Sequence, residues 1–182
     1  MPETELKIKT IGTPVLRKKA SLVTEITGYH RDILSQMSQL MYDSAGIGLA
    51  ANQVGIDQAM IVVDIGSGLY KLINPRVVKK EGWQANLEGC LSVPGVCIKV
   101  KRAKRVVVKA QDENGKPLTI EAQDLLACVL QHEIDHLKGR LIVDYASLLE
   151  KLKISKKLNA LKIKTKDEEL PESKTKSCKL QL

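Results

Sequence analysis

Phenylalanine is absent from the chain, and four tyrosines and one tryptophan leave aromatics at 3% of residues. So few rings cannot form the stacking platforms on which single-strand binders seat successive bases, and no specific nucleic acid partner is expected. No apolar run approaches the ~20 residues that a membrane-spanning helix requires, so no membrane partner is expected either. The opening Met1-Pro2-Glu3-Thr4-Glu5 is acidic and polar, with none of the apolar core of a secretory leader, and a reducing, cytoplasmic location is expected. In that setting the four cysteines, Cys90, Cys97, Cys128 and Cys178, which include no CxxC pair, are not expected to form a disulfide framework. No lipid anchor is expected, since position 2 is not glycine and Cys178 stands one place too early for a prenylation box.

What is present is ordinary globular composition, 43% hydrophobic and 27% charged over 182 residues, enough for one domain whose core needs no staples. The net charge of +8 is unevenly spread: residues 97–109 carry six basic side chains and no acid, and residues 151–162 carry five and no acid. These segments read as a solvated edge strand and a surface helix, and their charge would also suit transient contact with the ribosome.

Residues 31–42 place Ile33, Leu34, Met37, Leu40 and Met41 at helical spacing. Short β-rich runs follow at 59–65, 69–73 and 76–79, separated by Gly-Ser-Gly and Asn-Pro. The segments 105–110 and 117–121, joined through Asn114-Gly115, predict an antiparallel hairpin. Helical periodicity returns from Asp124 to Lys138 with Gly139 placed to end it, and a last Leu/Lys helix is predicted over 147–162. The pattern predicts an α+β fold in which antiparallel or mixed sheets pack around a central helix, with further helices toward both termini. One domain is expected over residues 1–162, followed by a disordered polar tail at 163–182.

The informative stretch of the central helix is Gln131-His132-Glu133-Ile134-Asp135-His136. Two histidines stand at i and i+4, the spacing that brings both imidazoles to one metal ion. At ~100° per residue, with Leu125 at zero, Val129, His136, His132 and Glu133 fall near about 40°, 20°, 340° and 80°, while Gln131, Asp135 and Lys138 fall on roughly the opposite side. Two histidines and a glutamate would therefore share the buried arc, where a carboxylate is costly unless a cation or a proton receives it. A metal ion with its water meets that need, and a metal site is expected. Two ligands leave the set incomplete, since a catalytic centre takes three protein ligands and keeps one position open. The metzincins are excluded, because their third histidine would stand where this chain has Ile142. Cys128 lies one turn before His132 but ~12 Å along the axis from His136, so it reads as an apolar wall. With Cys178 in the tail and Cys97 at the start of a strand, Cys90 remains, in Glu88-Gly89-Cys90-Leu91-Ser92.

Gly46-Ile47-Gly48-Leu49-Ala50-Ala51 matches a dinucleotide-binding fingerprint, with Asp64 near the place of its ribose acid. The context argues against that reading, because the fingerprint should follow a strand, and here it follows a helix and is soon interrupted by Gly55.

GIGLAANQ (46–53), EGCLS (88–92) and QHEIDHLKG (131–139), in this order and at these separations, resemble the three motifs of the peptide deformylases, over roughly residues 5–150. The resemblance implies that Cys90, His132 and His136 bind one divalent metal, Fe²⁺ by preference, with Zn²⁺, Ni²⁺ or Co²⁺ also able to occupy the site. It implies Glu133 as general acid/base, and Gln53 with the Leu91 backbone N–H as holders of the oxyanion. The substrate it implies is the N-formylmethionyl end of a nascent polypeptide in the bacterial cytoplasm, with a metal-bound hydroxide attacking the formyl carbon. Gly46 and Gly48 would let a peptide backbone approach as an added strand. By the same resemblance Ile47, Gly48, Leu125, Cys128 and Val129, with the His132 ring, surround the methionine side chain, and Glu88 and Arg102 look like a pair bracing the Cys90 loop. Cys97 departs from the larger Tyr or Arg that many relatives carry. The rival readings are an endopeptidase using the same HExxH helix and, from another class, a basic ribosome- or RNA-binding module whose metal is only structural.

Overall fold

Helices α1 (Gly28–Asp43), α2 (Asp124–His136) and α3 (Leu148–Asp167) and strands β1 (Gly48–Ala50), β2 (Met60–Val63), β3 (Tyr70–Glu81), β4 (Gln84–Glu88), β5 (Ile98–Arg102), β6 (Arg105–Gln111) and β7 (Pro117–Gln123) build the α+β architecture. The structure, a computed structural model, describes residues 5–167. Five strands form an antiparallel sheet in the order β1-β2-β3-β6-β7, and β4 and β5 pair as a second antiparallel sheet.

Strand β2 is buried on both faces because a helix covers each one. Met60 and Val62 pack with Leu34, Met37 and Met41 of α1, while Ile61 and Val63 join Ala127, Leu130 and Ile134 of α2. A strand covered twice has no solvent side to alternate toward, which accounts for the unbroken apolar run at its position. The runs predicted at 69–73 and 76–79 are a single strand, β3. Asn74 takes a φ of 54° and starts a bulge that shifts the register with β6, and its side chain pairs with both backbone groups of Val23 at 2.8 and 2.9 Å. The Asn-Pro interruption is thus absorbed within the sheet. The basic segment 97–109 is likewise not one edge strand: β5 takes its first part, and β6, between β3 and β7, takes the rest. Val106 and Val108 turn inward and Arg105 and Lys109 outward, so the alternation satisfies both the core and the charge. The predicted hairpin is β6–β7, its turn held by Asp112 Oδ1, which accepts the N–H groups of Asn114 and Lys116 at 2.8 Å each.

Helix α2 lies across the five-stranded sheet, touching β1, β2, β3, β6 and β7. Gly139 stops it as expected: at φ 70° its N–H reaches the His136 carbonyl and the Arg140 N–H reaches the Asp135 carbonyl, both at 2.9 Å, the hydrogen-bond pair of a Schellman motif. Helix α3 runs to Asp167, so the first residues of the tail expected to be disordered are helical; the rest of that segment, 168–182, lies outside the described residues. The extension is held because Ile154, Leu158 and Leu161 pack on the cluster around Val93 and Val96, and Thr165 hydrogen-bonds to Thr10 and to the Ile11 carbonyl.

A side chain at Gly139 would face both a left-handed backbone and the Arg17 carbonyl, whose oxygen lies 2.5 Å from the added Cβ. We expect Gly139→Ala to destabilise the protein by roughly 2–4 kcal/mol in urea unfolding.

Candidate metal centre

Two apolar clusters meet at one polar point. One contains Ala127, Cys128, Val129 and Leu130 of α2, and the other contains Cys90 with Ile98, Val100 and the Leu141–Val143 segment. His132 and His136 reach that junction from α2 and Cys90 from the turn after β4. Cys90 Sγ is 3.3 Å from His136 Nε2, and the two Nε2 atoms are 3.1 Å apart. The three ligand atoms lie within 4.8 Å of one another, and all three residues are buried.

Glu88 sets the electrostatics. It has no exposed surface, and its carboxylate receives four donors: Arg102 Nε and the Cys128 thiol at Oε1, 2.5 and 3.2 Å away, and Arg102 Nη2 and His132 Nδ1 at Oε2, 2.8 and 2.9 Å away. Burial alone would raise this carboxyl, but the hydrogen bonds from His132 and Arg102 and the charge of the arginine outweigh it and hold it at about 2. Because His132 spends Nδ1 on Glu88, its Nε2 presents a lone pair to the centre. Burial pushes both imidazoles below their ordinary range, His136 furthest, so they stand neutral. Burial, followed by the Glu133 charge, pushes the Cys90 thiol up. A dication reverses that balance, since a coordinating thiol is deprotonated outright. A thiol and two neutral imidazoles converging in a dry site are the donor set of a tetrahedral ion with one position left open, and the residues fit a divalent metal. Cys128 stays outside the set: burial and the neighbouring Glu88 charge push its thiol up to about 12, and it serves Glu88 as a donor.

Glu133 is enclosed, and burial pushes its carboxyl well above the ordinary range. It packs against the Cα of Gly48, where an added Cβ would stand 2.4 Å from Glu133 Oε1, while its Oε2 has no hydrogen-bond partner among the described residues. Gly46 also has an internal reason to be glycine, since a Cβ there would meet Leu91 Cδ1 at 2.9 Å. Gln53 is oriented by the Ala50 N–H, which donates to its Oε1 at 2.8 Å. That turns its amide nitrogen toward Ser92 Oγ, at 3.1 Å, and Cys90 Sγ, at 3.7 Å. Ile47 and Leu125 are half-buried and pack on the cluster that contains the fully buried Cys128 and Val129.

One expectation about α2 needs correction. Gln131 does not point to solvent: it is buried, its amide pairing with both backbone groups of Ala103 at 2.9 and 3.1 Å. The β5–β6 connection covers that side, so α2 is enclosed nearly all round and a one-sided wheel understates its burial. Two residues were missed: Asn52, which donates to the His136 carbonyl, and Ser92, which receives Gln53. Both lie inside the motifs quoted above, but no spacing rule marks them.

A family model described as polypeptide deformylase matches residues 5–152. The chain belongs to the polypeptide deformylase family. A peptide deformylase of Thermoanaerobacter pseudethanolicus is 53% identical over 139 residues, which is 76% of this chain and 87% of that one. Among solved structures, a peptide deformylase from Legionella pneumophila is 38% identical, covers 90% of this chain and 98% of its own, and superposes with a TM-score of 0.82. Another from Synechococcus elongatus, in complex with actinonin, is 41% identical, covers 86% and 90%, and gives 0.80. The family's activity is metal-dependent hydrolysis of the formyl group on the N-terminal methionine of nascent polypeptides, and the chain is an enzyme of that class.

Glu88 is held below its ordinary 4.5 in the folded chain, so the stability it contributes is complete above that pH and is lost as pH falls toward 2. We expect wild-type unfolding free energy to fall through that window, and Glu88→Gln to be less stable at neutral pH yet flatter across it, by urea unfolding at stepped pH.

Proposed function

We propose that Cys90 Sγ, His132 Nε2 and His136 Nε2 hold the catalytic ion, which is Fe²⁺ in the cell with Zn²⁺, Ni²⁺ or Co²⁺ able to replace it, and that the catalytic unit extends beyond residue 162 to the end of α3. The observation that carries this is the convergence of a thiol and two lone-pair nitrogens beside a buried glutamate. When bound, the ion supplies Lewis acidity that polarises the formyl carbonyl and acidifies a water. Glu133, kept out of bulk water against Gly48, takes a proton from that water and gives it to the departing amine as the carbon–nitrogen bond breaks. Its raised proton affinity suits the role, because the group must both accept and release a proton near neutrality. Formate leaves with the added oxygen, and the peptide leaves with a free amino terminus. The Gln53 amide, held by Ala50 and Ser92, donates to the oxygen on which negative charge develops, and the Leu91 N–H joins it.

Gly46, Ile47 and Gly48 run into β1, which ends the five-stranded sheet, so a substrate backbone is received there as an added strand. The methionine side chain lies against Ile47 and Leu125, with Cys128 and Val129 forming the wall behind. An unbranched thioether suits such a lining. No helix among the described residues is long and apolar enough to cross a membrane, and we assign the enzyme to the cytoplasm. The lysines of α3, beside exposed Leu148, Leu149 and Leu152, support transient contact with the ribosome.

Release of primary amine from formyl-Met-Ala-Ser, with acetyl-Met-Ala-Ser as control, tests the substrate; turnover of the formyl peptide alone, abolished by chelator, is expected. Glu133→Ala should keep its metal and lose roughly 10²–10⁴ in kcat; full turnover in a metal-loaded variant would remove the proton-transfer role. For Gln53→Ala we expect a loss of about 10²–10³ in kcat, and an unchanged kcat would remove the oxyanion assignment.

A further inference from the structure

Arg102 does more than pair with Glu88. Its guanidinium spreads between two carboxylates, with Nε and Nη2 on Glu88 at 2.5 and 2.8 Å and Nη1 on Asp135 Oδ2 at 2.8 Å. The arginine is 4% exposed, so neither contact is diluted by solvent. Asp135 belongs to α2, between His132 and His136 in sequence. Its Oδ2 also accepts the Tyr145 hydroxyl at 2.5 Å, and the Tyr145 ring lies against the guanidinium at 5.3 Å. Tyr145 ends the short 3-10 turn Ile142–Tyr145 and is 37% exposed.

We propose that Asp135 and Tyr145 are positioning residues of the metal centre: Asp135 clamps Arg102 onto α2, Tyr145 fixes Asp135, and the clamp sets how the two histidines face Cys90. Arg102 stands on β5, Glu88 on β4 just before Cys90, and Asp135 on the helix that carries both histidines. One guanidinium therefore ties the strand pair leading to the thiol to the helix bearing the imidazoles, and through Glu88 it also sets the His132 ring. A planar fork gripped from both sides cannot turn. Without Asp135 the guanidinium would keep its two bonds to Glu88 but lose its tie to α2, so the Arg102–Glu88 pair could shift against the helix and the His132 ring would lose its fixed support. The contacts from Tyr145 to Asp135, Arg102, Glu88 and His132 thus lead from the surface to a metal-facing nitrogen.

The inference rests on the metal-binding reading above, so the test separates the two. Full-length wild type, Asp135→Asn, Tyr145→Phe and Cys90→Ser are titrated with Co²⁺ against a competing chelator, the visible absorption of bound cobalt is recorded at saturation, and thermal unfolding is followed in parallel. We expect one equivalent bound by wild type, affinity about tenfold weaker in Asp135→Asn and about threefold weaker in Tyr145→Phe, and an altered cobalt band in both. Wild-type affinity and spectrum in the folded variants, even with a lowered melting temperature, would show a merely structural role and overturn the proposal. Tyr145→Phe loses only a hydroxyl near the surface, so it decides the matter if Asp135→Asn does not fold. Binding by Cys90→Ser equal to wild type would overturn the ligand assignment instead, and the clamp with it.

Discussion

The structure depends most on a single buried carboxylate. Glu88, with no exposed surface, is a liability that the chain can carry only because two arginine nitrogens, a thiol and an imidazole surround it. Those partners come from β5 and from α2, so satisfying Glu88 also brings together the elements that face each other across the metal centre. Removing one partner of such a group leaves an uncompensated buried charge, a far larger cost than any surface ion pair here could incur. Lys79 with Glu81 and Arg17 with Asp144 are pairs of that second kind, half-exposed and incidental to the site.

Burial does two different things to the titrating groups of the centre. It keeps both histidines neutral, which is the form that binds metal, and it drives the Cys90 thiol and the Glu133 carboxyl toward their protonated forms. A divalent ion held there would favour the thiolate, and in the role proposed for Glu133 a raised proton affinity would suit a group that shuttles a proton. The approach of Glu133 to Gly48 belongs to the same economy of space. A carboxyl packed on a bare Cα is shielded on that side, and its second oxygen is buried with no hydrogen-bond partner among the described residues.

Much of this was legible in the chain. The hairpin through Asn114-Gly115 and the stop at Gly139 came from turn chemistry, which is local, and both stand in the structure. Helical spacing also placed His132, Glu133 and His136 near one face. The misses share a cause. The Asn74-Pro75 break does not divide β3 because the backbone of Val23, far away in sequence, both donates to and accepts from the Asn74 side chain. Gln131 is buried because the backbone at Ala103 covers it, and α3 continues past 162 because Thr10 and Ile11 give its last turns something to bind. In each case a partner distant in the chain overrode a local signal.

The sequence by itself determined the donor types, the pairing of two histidines on one helix and the glycine stop of that helix, because these follow from a 3.6-residue period and from local turn chemistry. Only the tertiary structure decided how closely the Cys90 thiol stands to the two imidazoles and that Arg102 is held from two sides. It also decided that Glu133 is dry enough for its proton affinity to rise. Those properties arise from strands β4 and β5 packing against α2, and burial of charge is a property of the packed whole, not of any segment read alone.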